Sequence, residues 1–480
     1  MTIPKEIKSI LKNLQSAGFE AYIVGGCVRD FLLDKEPKDW DITTNATPEE
    51  IQKIFPDNFY ENNFLTVTVK TGSKKIPEAQ ITTYRLETKY SDKRHPDEVK
   101  YAQKLEDDLS RRDFTINSIA MDTDKKIVDL FGGQDDLASK IIKTVGNPDE
   151  RFGEDALRML RAVRFSTTLN FVIEEKTAEA IKKNSALLKA ISQERIRDEL
   201  VKIIMSSRAH EGVELLRELG LLQFIIPELL ENYGVSQNKH HIYDCYQHAL
   251  KALEYSAGKK FSLEVRLASL FHDIGKPRAK AGDGKESTFY NHEMIGAKMS
   301  YQILRRLCFS NKEVDKIVSL IRYHMFYYNV DEVTESSVRR LIKNIGPENI
   351  NELMQLREAD RIGSGVPKAE PYKLRHLKYI IDKVSKDPIS VKMLKIDGKE
   401  VMDILKITPG PKIGQILDVL LSFVLDDPKR NTKKLLTAEV LELAKLPEKE
   451  LKELAEKGKE EKFEVQKEED EKIKTKYWVK

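Results

Sequence analysis

Two acidic residues that follow a glycine-rich turn near the start of the chain have the spacing of a metal site. Asp39 and Asp41 alternate, so on a strand both carboxylates point to one face of the sheet. The preceding turn contains Gly25 and Gly26, which leave bare backbone N–H groups that can cradle phosphates. Arg29 adds a fork of donors that suits phosphate oxygens. Because a pair of magnesium ions needs carboxylates beside phosphates, the pattern predicts nucleotidyl transfer from a nucleoside triphosphate.

A second polar segment suits the sugar and phosphates of a nucleotide. Arg112, Asp113 and Asn117 can place a cation on a triphosphate and polar groups on a ribose. A salt-bridged turn accounts for the same residues, since short motifs often match by chance. Both interpretations stay open on these residues alone.

A third segment carries charged residues at intervals of three. Asp155, Arg158 and Arg161 can share one helix edge, and Arg164 continues the spacing. An aspartate accepts from an exocyclic amine and an arginine donates to ring acceptors, so together they can read the Watson–Crick edge of cytosine or adenine. The alternative is an ion pair on the surface of the helix.

Histidines are concentrated in the middle of the chain, where six of the nine lie between His240 and His324. Imidazole and carboxylate are the usual mixed ligands of Mn, Fe, Ni or Zn. A histidine that is merely packed or solvated is the alternative, and several separated positions weaken it. The candidate ligands are His248, His272, Asp273, His292, His324 and Asp360.

Composition limits the class of protein. The 480 residues suffice for about three or four domains. Lys and Arg (81) barely exceed Asp and Glu (78), so any nucleic-acid surface must be local. Three widely spaced cysteines form no disulfide or metal pattern, which predicts a cytoplasmic protein. The N-terminus is not a signal peptide, and the longest nearly apolar run, 416–425, is too short to span a bilayer, so no membrane partner is expected.

Strand and helix signals predict an α+β fold, with a small mixed β-sheet followed by all-helical segments. A helix is expected around Asn117–Met121. Residues from Leu446 onward are rich in Lys and Glu, and we expect a solvated helix that frays into a charged, mobile tail. The predicted domains cover residues 1–145, 146–225, 226–365, 366–445 and 446–480.

The first three segments, in this order and joined by Asp129-x-x-Gly132, resemble the signature of class II tRNA nucleotidyltransferases. These are the CCA-adding enzymes and their bacterial poly(A) polymerase relatives, and the resemblance covers about residues 20–225. It implies a catalytic head (1–145), a neck that recognises the nucleotide (146–225) and a helical body and tail that bind tRNA (366–445). The implied activity is addition of C, C and A from CTP and ATP to the tRNA 3′ end.

The same resemblance implies a role for each residue. Asp39 and Asp41 would hold Mg²⁺, and Asp155 with Arg158 would act as an amino-acid template. The segment 90–104 would be a flexible loop that helps switch from C to A. Gln80 departs from the family, which often has Glu there, so Glu78, a water molecule or the two aspartates alone must suffice. The expected nucleotide-binding residues are Gly25, Gly26, Arg29, Arg112, Asp113, Asn117, Asp155, Arg158, Arg161 and Arg164.

The run His272-Asp273-Ile274-Gly275 resembles the HD phosphohydrolases. That resemblance implies a metal-dependent phosphatase or phosphodiesterase in residues 226–365. Its core ligands would be His248, His272, Asp273 and Asp360, with His292 and His324 as additional ligands.

Three alternatives stay open. Within the family, the enzyme adds only A, adds only CC, or is a poly(A) polymerase. In another class, the head is a non-catalytic RNA-binding platform and the HD domain is the enzyme, an interpretation that the intact Asp39 and Asp41 disfavour. An HD hydrolase of signalling nucleotides leaves residues 1–225 unexplained. The sequence does not determine the oligomeric state.

Overall fold

The computed structural model describes residues 2–61, 65–88, 98–238, 242–282, 286–385 and 391–479. The chain divides into two compact units. The first comprises Met1–Met325 and Gln355–Pro367, and the second comprises Phe326–Met354 and Lys368–Lys480. The segment Phe326–Met354 therefore groups with the C-terminal residues, although the predicted HD domain includes it; the predicted domain limits remain predictions. Residues 90–97 of the predicted switching loop, and His240, lie outside the described residues.

The first unit contains the strands. They are β1 (Ala21–Val24), β2 (Asp41–Thr44), β3 (Asn58–Glu61), β4 (Thr66–Lys70), β5 (Glu78–Thr83), β6 (Arg85–Thr88), β7 (Glu98–Tyr101), β8 (Ile119–Met121), β9 (Ile127–Asp129), β10 (Ile141–Ile142) and β11 (Val172–Ile173).

Helices make up most of the chain. They are α1 (Lys5–Ser16), α2 (Gly26–Leu32), α3 (Pro48–Ile54), α4 (Leu105–Ser110), α5 (Gly133–Ala138), α6 (Pro148–Glu154), α7 (Leu157–Leu169), α8 (Glu175–Asn184), α9 (Gln193–Ile204), α10 (Ala209–Glu218), α11 (Leu222–Ile225), α12 (Pro227–Leu230), α13 (Cys245–Gly258), α14 (Leu263–Phe271), α15 (Lys276–Ala279), α16 (His292–Arg306), α17 (Asn311–Tyr323), α18 (Glu335–Ile345), α19 (Ile350–Gly363), α20 (Tyr372–Ser385), α21 (Gly398–Leu405), α22 (Pro411–Asp426), α23 (Lys433–Leu443) and α24 (Glu448–Tyr477).

Seven strands form one mixed sheet in the order β3-β4-β5-β2-β1-β8-β9. Strands β2 and β5 are parallel and place Asp41 opposite Gln80, whereas the other neighbours are antiparallel. The sheet therefore brings the start of β2 beside β5, 39 residues later in the chain. The predicted α+β fold with a small mixed sheet is confirmed.

Two local predictions had different outcomes. The sequence predicts a helix over Pro48–Phe55 with Thr47 as its N-cap, and α3 begins there, where Thr47 and Glu50 form a reciprocal capping box. The helix expected around Asn117–Met121 is wrong. A single 3₁₀ turn ends at Asn117, and Ile119–Met121 is a fully buried strand between β1 and β9. Pairing on both sides outweighs the local helical signal.

The second unit packs its helices around α22, whose apolar residues are the centre of a buried cluster. Helix α24 packs against α22 and α20 and buries Leu451, Ala455 and Ile473. A Cβ at Gly458 would lie 3.1 Å from the carbonyl oxygen of Asp418, which shows how closely the two helices approach. The expected fraying tail is therefore wrong: a sparse apolar stripe continues to Tyr477 and anchors a 30-residue helix.

In the part of the chain that the structure describes, no helix combines the length and the apolar character needed to cross a bilayer.

Candidate functional site

The two aspartates lie at one end of β2. Asp41 is the first residue of the strand, whereas Asp39 lies in a bend before it, so the two do not share one strand as expected. Neither side chain makes an ion pair or a hydrogen bond within the described residues. Burial, helped by the charge of Asp39, raises the pKa of Asp41, and Arg112 opposes the shift. A half-buried carboxylate beside another acid, with no bonded cation, suits a metal ion.

Gln80 lies next to Asp41 on the parallel strand β5. Partners in register have their side chains on the same face of a sheet, so the Gln80 amide is beside the Asp41 carboxylate. Glu78 follows the same two-residue alternation and is exposed. Gln80 therefore places a neutral amide oxygen beside Asp41, whereas a glutamate would add a negative charge there.

The turn after β1 requires glycine at one position. Gly25 has φ +85°, and a Cβ there would lie 2.8 Å from Nη1 of Arg112. Its N–H donates to the carbonyl of Ile119 at 3.2 Å, so the expectation that both glycine amides are bare is wrong for Gly25. Gly26 is the first residue of α2, where the leading N–H groups have no acceptor within the helix.

A closed circuit of side chains joins α2 to α7. Arg29 donates from Nη1 to Oδ1 of Asn117 at 2.8 Å, and Nδ2 of Asn117 donates to Oδ1 of Asp113 at 3.0 Å. Arg161 then donates from Nε to Oδ2 of Asp113 at 2.7 Å. The guanidinium carbons of Arg29 and Arg161 lie 5.1 and 5.5 Å from the centroid of the Phe165 ring, which closes the circuit. The structure thus brings together four residues from three segments that the sequence analysis treated separately.

Buried acids hold the arginines of this region in place. Asp108 is fully buried and accepts hydrogen bonds from Arg111 and Arg112. Burial alone would raise the pKa of Asp113, but the charge of Arg161 and the Asn117 hydrogen bond outweigh it and lower that pKa to about 2. Both acids are therefore charged at neutral pH and fix the direction of the cations that they bind.

The prediction that Asp155, Arg158 and Arg161 share one helix edge is wrong. Asp155 is extended (φ −135°, ψ 104°) at the break between α6 and α7, so it lies outside the helix that carries the two arginines. Its carboxylate accepts from the N–H of Leu157 at 3.0 Å and from Nη2 of Arg195 at 2.9 Å. The i, i+3 ion pair is also absent: Arg158 donates to Glu154 and to the carbonyl of Arg111.

The histidine cluster converges on Asp273. Nε2 of His248 lies 2.9 Å from Nε2 of His272, and both rings approach Oδ2 of Asp273, at 3.1 and 3.3 Å. Nε2 of His292 and of His324 lie 3.2 and 3.7 Å from the other oxygen, Oδ1. The five side chains form two groups of potential ligand atoms that share Asp273. Asp360, the remaining predicted ligand, has Oδ1 3.5 Å from Nε2 of His248.

Backbone carbonyls orient three of these rings. Nδ1 of His272, His292 and His324 lies 2.9, 2.7 and 2.6 Å from the carbonyl oxygen of the residue three positions earlier. An Nδ1–H bonded in this way leaves the Nε2 lone pair facing the cluster. In the described part of the chain, Nε2 of His292 and of His324 is buried without a hydrogen bond. Buried imidazole nitrogens of this kind fit a metal ion.

The cluster attracts positive charge. Burial alone would lower the pKa of His272, but Asp273 and Asp360 outweigh it and raise that pKa to about 10. The pKa values of both carboxyl groups are well below their usual range: burial opposes the shift, and the contacts with His248 and His272 outweigh it. A cavity of about 560 Å³ opens beside the cluster and is lined by Asp273, His292, His324 and Asp360.

Family comparisons match three parts of the chain. Residues 21–143 match the Poly A polymerase head domain. Residues 170–232 match the probable RNA- and SrmB-binding site of polymerase A, and residues 239–364 match the HD domain.

A CCA-adding enzyme of Ligilactobacillus salivarius is 34% identical over 455 residues, which cover 91% of this chain and 99% of that protein. The chain belongs to the family of CCA-adding enzymes. A CCA-adding enzyme of Lactobacillus helveticus is 50% identical over 213 residues, 44% of this chain and 53% of that protein. An A-adding tRNA nucleotidyltransferase of Deinococcus radiodurans is 33% identical over 410 residues, 83% of this chain and 90% of that protein.

Solved structures of CCA-adding enzymes have the same fold. The enzyme of Bacillus stearothermophilus in complex with CTP has a TM-score of 0.60 and 29% identity, over 91% of this chain and 96% of that one. The Thermotoga maritima enzyme complexed with tRNA has a TM-score of 0.54 and 19% identity, over 92% and 96% of the chains, so it shows the fold alone.

In this member of the CCA-adding family, the sequence analysis assigned no role to two residues that bind side chains of the candidate site, Arg195 and Glu199. Arg164 donates to Glu199 at 2.9 Å and lies 4.1 Å from the centroid of the Phe165 ring. Burial, with the charge of Arg161, lowers the pKa of Arg164 to about 10. Arg195 and Glu199 both come from α9, where the run Ser192-x-Glu194-Arg195-x-x-x-Glu199-Leu200 resembles a helical motif of the family, and that run was the signal available in the sequence.

Proposed function

We propose that this protein is an RNA nucleotidyltransferase that adds C, C and A to the 3′ end of tRNA, with CTP and ATP as substrates. Full-length similarity to CCA-adding enzymes supports the assignment. The observation that carries it is the Asp39 and Asp41 pair, whose carboxylates have no bonded cation within the described residues while most of the arginines around them are paired. Metal-binding carboxylates must be left available in this way.

Asp39 and Asp41 would hold Mg²⁺, which supplies charge neutralisation on the phosphates and a lower pKa for the attacking hydroxyl. The tRNA 3′-hydroxyl attacks the α-phosphate in line and pyrophosphate leaves, so no covalent enzyme intermediate forms. Arg29 and Arg112 lie at the glycine turn and would bind the triphosphate, with the Gly26 amide at the start of α2.

Selection between nucleotides would come from Asp155 and Arg158. Oδ1 of Asp155 accepts from Leu157 and, at 3.5 Å, from Arg195, whereas Oδ2 accepts from Arg195 alone, so Oδ2 has a lone pair left for an exocyclic amine. Cytosine and adenine present that amine, whereas uracil and guanine present a carbonyl that repels the carboxylate. Asp113 and Asn117 would meet the ribose, and Arg161 and Arg164 would support the nucleotide pocket.

Extension of defined RNA ends tests this function. tRNA that lacks its end, or that ends in C or CC, is incubated with labelled CTP or ATP, and the products are sized. We expect stepwise addition of C, C and A; addition of A alone, of CC alone or of long A tails would identify the alternative activities. Asp39→Ala and Asp41→Ala should abolish incorporation while tRNA binding survives, and Asp124→Asn, at an exposed turn, should not alter it. Normal incorporation by both alanine variants would refute the metal assignment.

A second activity, phosphoester hydrolysis, is favoured by the buried histidine cluster and its cavity. His248, His272, Asp273, His292, His324 and Asp360 would hold Mn, Fe, Ni or Zn, which supplies a hydroxide nucleophile when bound. Metal analysis of the purified protein, combined with hydrolysis of a 2′,3′-cyclic phosphate, tests it. Absence of both metal and turnover would leave the cluster with a structural role.

We also propose a cytosolic location, since the three cysteines are free thiols, which a reducing compartment preserves.

A further inference from the structure

The cavity beside the histidine cluster has cations on its walls that are not metal ligands. Lys276, Arg357 and Arg361 all line it. Arg357 and Arg361 are four residues apart on α19 and therefore lie on one face of that helix. Like charges at this spacing repel each other, so the arrangement is unfavourable unless acids or a bound anion compensate it.

Acids compensate two of the three cations. Nζ of Lys276 lies 2.6 Å from Asp273, and Nη1 of Arg357 donates to Asp360 at 2.6 Å. Arg361 has no carboxylate partner within the described residues, and its Nε is buried without a hydrogen bond. The charge of the Arg361 guanidinium is therefore not compensated by a paired acid in that part of the chain. It lies one helical turn from Arg357, close to the histidine cluster.

Two large exposed side chains line the same cavity. Tyr290 is 80% exposed and Met325 is 54% exposed. An aromatic ring on a cavity that also carries a free guanidinium matches a ligand with a flat apolar part and an anionic part. A nucleotide has both parts.

We propose that Arg361 binds the phosphate of the ester that enters this cavity and that Tyr290 stacks on its base. The cavity then selects nucleotide phosphates, including those at RNA ends, over phosphate esters that have no base. This assignment rests on the proposed phosphohydrolase function of the cluster, and it adds the two residues that hold the substrate. Neither is a metal ligand, so their loss weakens substrate binding without emptying the metal site.

Calorimetric titration of the full-length, metal-loaded protein tests the proposal without requiring turnover. The probes are inorganic phosphate and adenosine 3′-monophosphate. Anion binding in the nucleotidyltransferase head is common to all variants, so the difference between wild type and each variant reports the cavity. Arg361→Gln should weaken the binding of both probes by about tenfold, the loss expected for one charge-assisted hydrogen bond. Arg361→Lys should recover part of it, because the charge remains.

Tyr290→Ala should weaken only the binding of adenosine 3′-monophosphate, by about tenfold, as the loss of one stacking contact does. Arg322→Gln is the matched control, since Arg322 is an exposed arginine outside the cavity lining. Wild-type affinity of Arg361→Gln for phosphate, or equal loss of both probes in Tyr290→Ala, would overturn the proposal. Hydrolysis is measured separately: correct binding effects without turnover would reject the phosphohydrolase and keep the binding site.

Discussion

At the scale of single residues, most charged groups of the candidate active site are already paired, and the two aspartates proposed to bind metal are the exception. Asp108, Asp113 and Glu199 each hold one or more arginines. Asp39 and Asp41 have no such partner within the described residues. Leaving acids unpaired destabilises the fold, a cost that functional sites commonly carry.

Because of this cost, removing the charge of Asp41 should stabilise the protein, by an amount that depends on pH. Because burial raises the pKa of Asp41, the folded protein binds that proton more tightly than the unfolded chain. The ionised Asp41 therefore lowers the free energy of unfolding once the pH rises through its raised pKa, and this loss disappears as the pH falls back toward the ordinary value. Asp41→Asn, without added metal, should melt above wild type at neutral pH, and the gain should shrink as the pH approaches the ordinary value of 3.8. An equal or lower melting temperature at neutral pH would contradict this, and Asp124→Asn is the control.

A second residue-scale prediction concerns nucleotide choice. Arg195 holds the Asp155 carboxylate at 2.9 Å, so it should position that group for base reading. We expect Arg195→Ala and Asp155→Ala each to reduce the preference for CTP and ATP over UTP by about tenfold. The double variant should lose no more than Asp155→Ala alone, because the arginine acts through the aspartate. Additive losses measured in a double-mutant cycle would show that Arg195 acts independently.

At the scale of elements, the ring of Phe165 connects helix α7 to helix α2. Three guanidinium groups lie within 5.5 Å of its centroid, and they belong to Arg29, Arg161 and Arg164. Arg29 comes from α2 and the other two from α7, so one aromatic side chain aligns two helices. The break at Asp155 then gives that residue a direction that a continuous helix would not allow.

Replacing the ring should therefore affect both nucleotides alike. Phe165→Leu keeps an apolar side chain but removes the π face, and we expect the KM for CTP and for ATP to rise about fivefold, the loss of about 1 kcal/mol of cation–π contact. kcat should change little, because the aspartates are untouched. Phe224→Leu is a matched control, since that ring contacts Lys189 instead. A change in kcat or in CTP/ATP preference alone would argue against this role.

At the scale of the whole molecule, a buried arginine joins α9 to the histidine-rich helices. Arg266 on α14 donates from Nη1 to the carbonyl oxygens of Ile204 and Ser206, both at 2.9 Å. It is 4% exposed, and its other hydrogen bonds, from Nε to Phe261 and from Nη2 to Ala257, also go to backbone carbonyls. Ile204 is the last residue of α9 and Ser206 follows it, and carbonyls at a helix end have no partner within the helix.

Arg266→Met should keep much of the volume but leave those carbonyls unsatisfied. We expect a loss of about 3 kcal/mol in the free energy of unfolding, measured by urea denaturation. Arg322→Met, at an exposed position, should change it by less than about 0.5 kcal/mol. Equal midpoints for the two variants would show that Arg266 does not stabilise this junction.

Local signals in the sequence determined much of this protein. The capping box at Thr47 and the HD run at His272 depend on neighbours within a few residues, and the structure has the corresponding elements. The family signature is also a sequence property, because it names residue types in a fixed order. These features require no knowledge of how distant segments meet.

The tertiary structure decided which charges are paired. Arg29 meets Asn117 across 88 positions, and Asp155 meets Arg195 across 40. The sequence placed Asp155 with Arg158 because helical periodicity considers only near neighbours. The same limit produced the expected fraying tail, since the stripe of α24 becomes visible as an interface only when α22 is packed against it. Pairing and burial depend on contacts between segments distant in the chain, and a linear pattern does not contain them.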